Sequence, residues 1–365
     1  MASAKNRPLN REPPAEILIS SFITPSDFAY DRNHGPIPHL SASSHSIHID
    51  GDGVRNPLTL SVHDLQTNFD QHEIICALQC AGNRRHTMRT LLKEVQGIDW
   101  GDAAVMNCQW KGPRLRDVLL RAGVVEEEKE KYHVAFACGQ VPCQNDEWYG
   151  SSVELRRCLD LGMDVILALE MNHRPLPIYK GYPARVVIPG VVGARWVKWL
   201  DRITVQKEES PNFYQRRDYK VLPPEATDAA KAAEFWDKTP AMTETVVNSV
   251  VAVPRDGQTV YRDEDGLVEA RGYTVPQGHY GPVVRVEVSG DGGRTWADAR
   301  LEHGEVSTWA WVLWTARVPM AQGSLKQILS CATDAGGHKQ PETSQWNLRG
   351  VGYNGYGLAR NLTVI

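Results

Sequence analysis

The chain has 365 residues, of which 42% are hydrophobic and 23% charged, and its formal net charge is −4. This balance is typical of a globular protein long enough for two domains, and it provides no basic field that would favour nucleic acid or an anionic membrane. No stretch is apolar enough to span a bilayer, and the first ten residues lack the apolar core of a signal peptide. The 7 cysteines are scattered, without a Cys-x-x-Cys pair, which favours a reducing compartment. We therefore expect a cytoplasmic protein, with peroxisome or mitochondrion as alternatives.

Helical and strand patterns alternate up to about residue 222, which predicts an α+β domain over residues 1–222. Residues 112–123 predict a helix, in which Pro113 suits the first turn and Gly123 the end. Ser151 and Glu154 offer a capping box for a second helix that ends at Leu159. Apolar, β-branched runs predict strands at residues 164–170, 185–188 and 191–205.

The composition changes after residue 222. Residues 223–240 are rich in Ala, Pro and charge, which predicts a linker or loose connecting segment. Beyond it, Val284, Val286 and Val288 alternate with polar residues, and the glycine-rich run at 290–293 turns the chain. Short strands separated by regular turns predict an all-β, immunoglobulin-like sandwich over residues 241–365.

Cys80 lies in the run Leu-Gln-Cys-Ala-Gly-Asn-Arg-Arg at residues 78–85. Neighbouring positive charge lowers the pKa of a thiol, so Arg84 and Arg85 predict a Cys80 thiolate, the form that binds soft metals or attacks electrophiles. The two guanidinium groups are also planar forks suited to phosphate or a small oxyanion. The alternative is a buried structural cysteine beside two surface arginines, because single cysteines are often inert core residues.

Two further segments combine rigid backbone with cationic side chains. In residues 30–38, Pro36 and Pro38 make an extended loop that can direct Arg32, Asn33 and His34 toward one ligand. Residues 181–200 contain several glycines together with Arg185 and Lys198, which indicates either a phosphate cradle or two strands joined by a turn. For residues 30–38 the alternative is an ordinary surface loop, and for residues 181–200 it is two strands whose Arg and Lys side chains are solvated.

Together these motifs resemble the sulfite oxidase family, and they are most similar to the plant-type enzymes that lack a haem domain. The resemblance rests on C-A-G-N-R-R at Cys80, R-N-H-x-P-x-P at Arg32, the run at 181–200, Q-R-R-D-Y-K ending at Lys220, and W-N-L-R-G containing Arg349. Neither an H-P-G-G haem motif nor a dinucleotide-binding G-x-G-x-x-G is present.

The resemblance implies roles for individual residues. Cys80 would ligate molybdenum, Arg32, Arg85 and Arg349 would hold the anion, Tyr219 would approach the metal, and Trp100 would wall the substrate pocket. The implied contacts to molybdopterin are Tyr30, Arg32, Asn33, His34, Cys80, Lys180, Arg185, Trp196, Val197 and Lys198. Two departures affect these contacts: Tyr179 and Lys180 replace the family's Asp-His pair, and the segment from Cys138 to Tyr149 is rewritten.

The implied function is the oxidation of sulfite to sulfate by oxygen-atom transfer at a molybdenum–molybdopterin centre. Electrons would pass to dioxygen, giving hydrogen peroxide, or to a separate carrier, and the second domain would form a homodimer. One alternative is the molybdenum module of a nitrate reductase, against which Arg349 argues, because nitrate reductases of this family carry an uncharged residue there. The other is a scaffold that has lost its cofactor and acts as an interaction module.

Overall fold

A computed structural model of the chain describes residues 8–302, 304 and 307–365. The first seven residues, part of the segment expected to lack a signal peptide, lie outside this range. Within the described residues, no helix has the length and apolar composition that crossing a bilayer requires.

The first half of the chain is a mixture of short strands and short helices. Its strands are β1 (Asn10–Arg11), β2 (Asp31–Arg32), β3 (Ser46–Asp50), β4 (Leu58–Ser61), β5 (Gln71–Gln79), β6 (Val105–Pro113), β7 (His133–Cys138), β8 (Tyr149–Glu154), β9 (Ile166–Ala168), β10 (Glu170–Met171), β11 (Arg174–Pro175), β12 (Arg185–Val187) and β13 (Arg202–Gln206). Its helices are α1 (Ala15–Leu18), α2 (Val62–Thr67), α3 (Arg85–Leu91), α4 (Leu115–Arg121) and α5 (Leu155–Leu159).

Two sheets of this half position the site. One has the strand order β11-β10-β6-β5 and the other β4-β3-β13-β7-β8. β5 and β6 pair antiparallel along their whole length, from Gln71 opposite Pro113 to Gln79 opposite Val105. Cys80 directly follows the last residue of β5, so the position of its backbone is fixed by a buried strand.

Both helices predicted for this half are present, as α4 and as α5, which ends at Leu159 as expected, but the residues assigned to start them are wrong, and so is most of the strand predicted at 191–205. Pro113 is the last residue of β6, and the helix after it begins at Leu115, although Gly123 does follow its end. Ser151 and Glu154 belong to β8, because pairing with β7 uses their backbone; the hydroxyl of Ser151 donates to Gln215 instead of capping a helix. Residues 191–201 form no strand: Val191 makes a single bridge to Glu244, Gly193–Arg195 form a 3₁₀ turn, and only β13 fulfils part of the prediction for 191–205.

Residues 223–240, predicted as a linker, include a one-turn helix, α6 (Ala229–Ala232). Ala226 and Ala232 are buried and pack in one apolar cluster with Leu222 and Leu348. The segment is therefore packed against the last part of the chain rather than loose.

The second half is all β, as predicted. Its strands are β14 (Asn248–Val253), β15 (Thr259–Val260), β16 (Leu267–Val275), β17 (Val283–Ser289), β18 (Ala297–Asp298), β19 (Arg300–Glu302), β20 (Val312–Pro319), β21 (Gly323–Asp334) and β22 (Gly357–Val364). They form two sheets, ordered β14-β16-β20-β19 and β15-β22-β21-β17-β18, and a shared apolar core with Val286, Trp314 and Ala332 lies between them. This architecture confirms the predicted fold class, an α+β domain followed by a β-sandwich.

Candidate active site

A cavity opens beside Cys80, where segments from several sheets of the first half meet. Most of the predicted site residues line it, namely Tyr30, Arg32, Asn33, His34, Cys80, Lys180, Arg185, Trp196, Lys198 and Tyr219. Segments far apart in the chain therefore converge here.

Cys80 is fixed by its backbone, since its N–H donates to the carbonyl of Ala104 at 2.9 Å. The side chain is buried, and burial raises the pKa of the Cys80 thiol; the charges of Arg85 and Arg32 oppose this but do not outweigh it. The prediction of a thiolate from neighbouring arginines alone is therefore wrong. A soft metal ion that replaces the proton would reverse the balance, because a coordinating thiol is deprotonated.

Arg84 is used to hold the structure together and does not point a fork of donors at an anion, as the sequence had suggested. Arg84 has a left-handed backbone, at φ 64°, which turns its side chain away from Cys80. Its buried guanidinium donates to Asn248 at 2.8 Å and to the carbonyls of Gly355 at 2.7 Å and Tyr356 at 2.6 Å. Arg84 thus joins the two halves of the chain, and its donors are not directed at a ligand.

Arg85 passes between three glycines. A Cβ on Gly82, Gly97 or Gly350 would lie 2.5–2.8 Å from the Arg85 side chain, so each position excludes larger residues. The guanidinium donates to the carbonyls of Ile98 at 2.8 Å and Arg349 at 3.0 Å. These contacts hold Arg85 near Cys80, where its charge lowers the cost of the thiolate.

His34 connects Arg32 to Tyr219. Arg32 Nη2 lies 3.0 Å from His34 Nδ1, and His34 Nε2 lies 2.7 Å from the Tyr219 hydroxyl. Because arginine can only donate, Nδ1 must accept, so a neutral His34 carries its proton on Nε2 and donates it to Tyr219. Burial and the positive charges of Arg32 and Lys198 hold the pKa of His34 well below 6.5, which keeps the ring neutral. The hydroxyl proton of Tyr219 is then left to point into the cavity.

Positive charge concentrates at another part of the cavity wall. Burial, together with Arg185 and Lys180, lowers the pKa of Lys198 well below its usual value. Lys198 Nζ donates to the Arg32 carbonyl at 3.0 Å and to Asn33, while Nε of Arg185 has no partner among the described residues. The cationic groups of this wall repel one another and are shielded from water, so a bound anion would stabilise them.

Lys180 does not share this role. Its ammonium donates to Asp31 at 2.6 Å, to the carbonyl of Tyr30 at 2.5 Å and to that of Ala29 at 2.9 Å. All three of its donors are therefore used, and none remains for the phosphate contact considered from the sequence. Burial lowers the pKa of Lys180 to about 8 although Asp31 opposes this shift.

Four predicted site residues lie outside the cavity lining, namely Arg85, Trp100, Val197 and Arg349. Trp100 packs edge-on against Tyr30 with ring centroids 6.4 Å apart, and its indole N–H has no partner among the described atoms. Val197 is a fully buried core residue. Arg349 reaches back from the second half, forms an ion pair with Asp218 and lies close enough to Arg85 and His34 to affect both pKa values.

Sequence reasoning missed the residues that hold Tyr219 and His34. Arg195 is completely buried and donates to the carbonyls of Tyr214 and Tyr219, both at 3.0 Å. Tyr149 stacks on the His34 ring with centroids 5.3 Å apart, and Tyr214 packs against the same ring at 3.9 Å with the two planes tilted by 45°. A signal for Arg195 existed, because it lies inside the motif at 181–200, but only the fold shows that it faces the 214–219 turn.

The residues present fit a molybdenum–molybdopterin group. The Cys80 thiol is a soft ligand, Arg185 and Lys198 provide cationic donors for a phosphate, and the buried Nε of Arg185 has no partner among the described residues. Cys80 would hold the metal, and Arg185 and Lys198 would hold the phosphate end.

Comparisons with known proteins point the same way. Residues 34–214 match the oxidoreductase molybdopterin-binding domain, and residues 239–358 match the Mo-co oxidoreductase dimerisation domain. The chain is 44% identical to human mitochondrial sulfite oxidase over 94% of its own length, and it spans 62% of the length of that relative. It is 37% identical to sulfite oxidase of Arabidopsis thaliana over 94% of its length and 89% of the relative's.

Two other proteins are similar to this chain, one over a smaller share of its own length and one mainly in fold. An NADH nitrate reductase of Volvox carteri is 36% identical over 96% of this chain, but the match covers only 41% of that protein. Among solved structures, the sulfane dehydrogenase SoxCD of Paracoccus pantotrophus superposes with a TM-score of 0.76, covering 98% of this chain and 90% of that one. At 22% identity this second likeness supports the fold alone.

Proposed function

Because this chain belongs to the sulfite oxidase family of molybdopterin oxidoreductases, we propose that it oxidises sulfite to sulfate by oxygen-atom transfer. The observation that carries the proposal is the cavity in which the Cys80 thiol, the Arg32–His34–Tyr219 chain and the cationic Arg185 and Lys198 are brought together. Molybdenum–molybdopterin, when bound, would supply the oxygen atom and accept the electron pair from sulfur.

The chain's own residues bind and orient the anion. Arg32 presents a charge that is fixed by bonds to His34 and to the Asn33 carbonyl, so little reorganisation is needed when a dianion arrives. Tyr219 donates its hydroxyl proton into the cavity, since the Nε2–H of His34 already occupies a lone pair of its oxygen. In this proposal Arg349 contacts the anion, and Arg85 adds positive charge nearby; both charges speed anion capture.

Arg349 tests whether the second half completes the substrate site. Arg349→Met removes one charged contact, which is worth about 1.5–3 kcal/mol, so the KM for sulfite should rise roughly 10- to 150-fold. Arg360→Met is the matched control, because Arg360 pairs with Asp256 on the surface of the same half. An unchanged KM in Arg349→Met would remove Arg349 from the substrate site.

We propose dioxygen as the electron acceptor, on the resemblance to plant-type enzymes. The balanced reaction is then sulfite, water and dioxygen giving sulfate and hydrogen peroxide. The test is peroxide formed per sulfite consumed in air, with and without cytochrome c. Turnover that requires cytochrome c and releases no peroxide would assign the electrons to a separate carrier, while leaving the sulfite half-reaction intact.

We also propose a homodimer formed through the second half, on the match of residues 239–358 to the dimerisation domain. Light scattering during size-exclusion chromatography measures the mass directly. A monomer at micromolar concentration would contradict this part of the proposal.

A further inference from the structure

A four-residue segment, Leu9 to Glu12, contacts the Arg32 loop, which lines the cavity, and the Trp100 loop. Its central residues form β1, which pairs antiparallel with β2, Asn10 opposite Arg32 and Arg11 opposite Asp31. We call residues 9–12 the strap. None of the motifs in the sequence includes the strap, and the site chemistry described above does not use it.

The strap fastens the Arg32 loop through side-chain contacts in addition to the strand pairing. Asn10 Oδ1 accepts from Arg32 Nη1 at 3.3 Å and from the Asn33 backbone N–H at 3.1 Å. The Leu9 carbonyl accepts from Asn33 Nδ2 at 2.9 Å, which leaves Asn33 Oδ1 to accept from Lys198. The strap therefore sets the direction of the Arg32 guanidinium and of the Asn33 amide.

The other end of the strap fastens the Trp100 loop. The two carboxylate oxygens of Glu12 accept from the backbone N–H groups of Gly101 at 2.8 Å and Ala103 at 2.6 Å. Trp100, which precedes Gly101, packs against Tyr30 on the Arg32 side. One short segment thus spans from Arg32 to Trp100, and it fixes the separation of the two loops that carry them.

We propose that the strap is a positioning element for the substrate pocket, in which Asn10 orients Arg32 and Glu12 orients Trp100. This inference rests on the proposed function, because it takes sulfite as the anion that Arg32 receives. Because the strap already holds the Arg32 guanidinium in its binding orientation, sulfite does not have to reorder that side chain when it binds. The strap therefore acts on sulfite affinity more than on turnover.

The variants are chosen to separate positioning from simple stabilisation. Asn10→Ala removes both acceptor contacts, whereas Asn10→Asp keeps an oxygen at the same place. Glu12→Gln replaces one acceptor oxygen with an NH₂ group that faces a donor. Glu16→Gln is the control, since Glu16 lies in the following helix and pairs with Arg255. Molybdenum content is measured for every variant.

Two readouts decide the outcome. In Asn10→Ala we expect about a tenfold rise in the KM for sulfite, with kcat changed less than twofold and the KM largely restored in Asn10→Asp. Hydrogen exchange by mass spectrometry should accelerate in peptides covering residues 31–35 for Asn10→Ala and 99–104 for Glu12→Gln, and in neither for Glu16→Gln. Faster exchange with an unchanged KM would refute positioning and leave the strap a structural tie.

The same design separates failure of the strap from failure of the proposed function. If the wild-type protein loads molybdenum and does not oxidise sulfite, the proposed function is wrong. Sulfate binding by calorimetry then decides on the strap: weaker binding in Asn10→Ala than in Glu16→Gln supports it. Equal sulfate affinity in the two variants would overturn it.

Discussion

Arg84 provides a sharp test of how the two halves of this protein are held together. Its guanidinium is buried and donates to Asn248 and to the carbonyls of Gly355 and Tyr356, all in the second half. It also stacks on Tyr353, with 4.6 Å from Cζ to the ring centroid. We therefore expect Arg84→Met to lower the free energy of unfolding.

The magnitude follows from what the substitution leaves behind. Arg84→Met leaves those acceptors without their donor, and it leaves Asp102, 3.5 Å from Arg84 Nε, without its countercharge. Removing a charged donor from buried acceptors costs about 1.5–3 kcal/mol. Arg156→Met is the control, because the Arg156–Glu154 pair is exposed and such pairs are worth about 0–1 kcal/mol.

Urea unfolding followed by tryptophan fluorescence and far-UV circular dichroism measures both variants. Arg84→Met should shift the transition to lower urea, and the two probes should separate if the halves then unfold independently. A loss below about 1 kcal/mol, equal to that of Arg156→Met, would refute the assignment of Arg84 as the tie between the halves.

Two predictions follow from the His34 network. Tyr219→Phe removes the hydroxyl that donates into the cavity, so kcat/KM for sulfite should fall about 10- to 150-fold. Tyr182→Phe is the control, because Tyr182 packs against the core of the first half, and it should change kcat/KM less than twofold. Equal values for both variants would contradict the proton placement. The pKa of His34 is held well below 6.5, so the unfolded chain binds more protons than the native protein below about pH 6.5, and stability should be lost there as the pH falls, by up to about 1.4 kcal/mol per pH unit. Urea midpoints between pH 7.5 and 5 should show a shallower slope in His34→Gln, and identical slopes would show that His34 is protonated in the native state.

Much of the architecture could be predicted because it depends on patterns along the chain. Alternating valines at 284–288 gave a strand of the sandwich, and the motifs at Arg32, Cys80 and Lys198 do meet at one cavity. Ser151 was misread because a capping box and a strand end share the same residues, and only the pairing partner β7 decides between them.

Burial explains the errors at the site. The charge of Arg85 favours a Cys80 thiolate, but the sequence does not reveal that the thiol is shielded from water, and desolvation is the larger effect. Arg84 and Arg85 are adjacent and chemically alike, yet the positive φ of Arg84 directs one toward the second half while the other stays near the thiol. Asn10 and Arg195 act through contacts with residues distant in the chain, which no local motif reports.

The central claim is that Cys80 holds molybdenum in this cavity and that sulfite is oxidised there. The most direct measurement is the molybdenum content of the purified protein by mass spectrometry, together with sulfite turnover, in wild type, Cys80→Ser and the buried control Cys158→Ser, which lies in α5 away from the cavity. We expect about one molybdenum per chain with sulfite turnover in wild type and in Cys158→Ser, and no turnover in Cys80→Ser, because a hydroxyl is a poor ligand for a soft metal centre. Full sulfite oxidation by Cys80→Ser, or a wild-type protein that takes up no molybdenum, would contradict the claim.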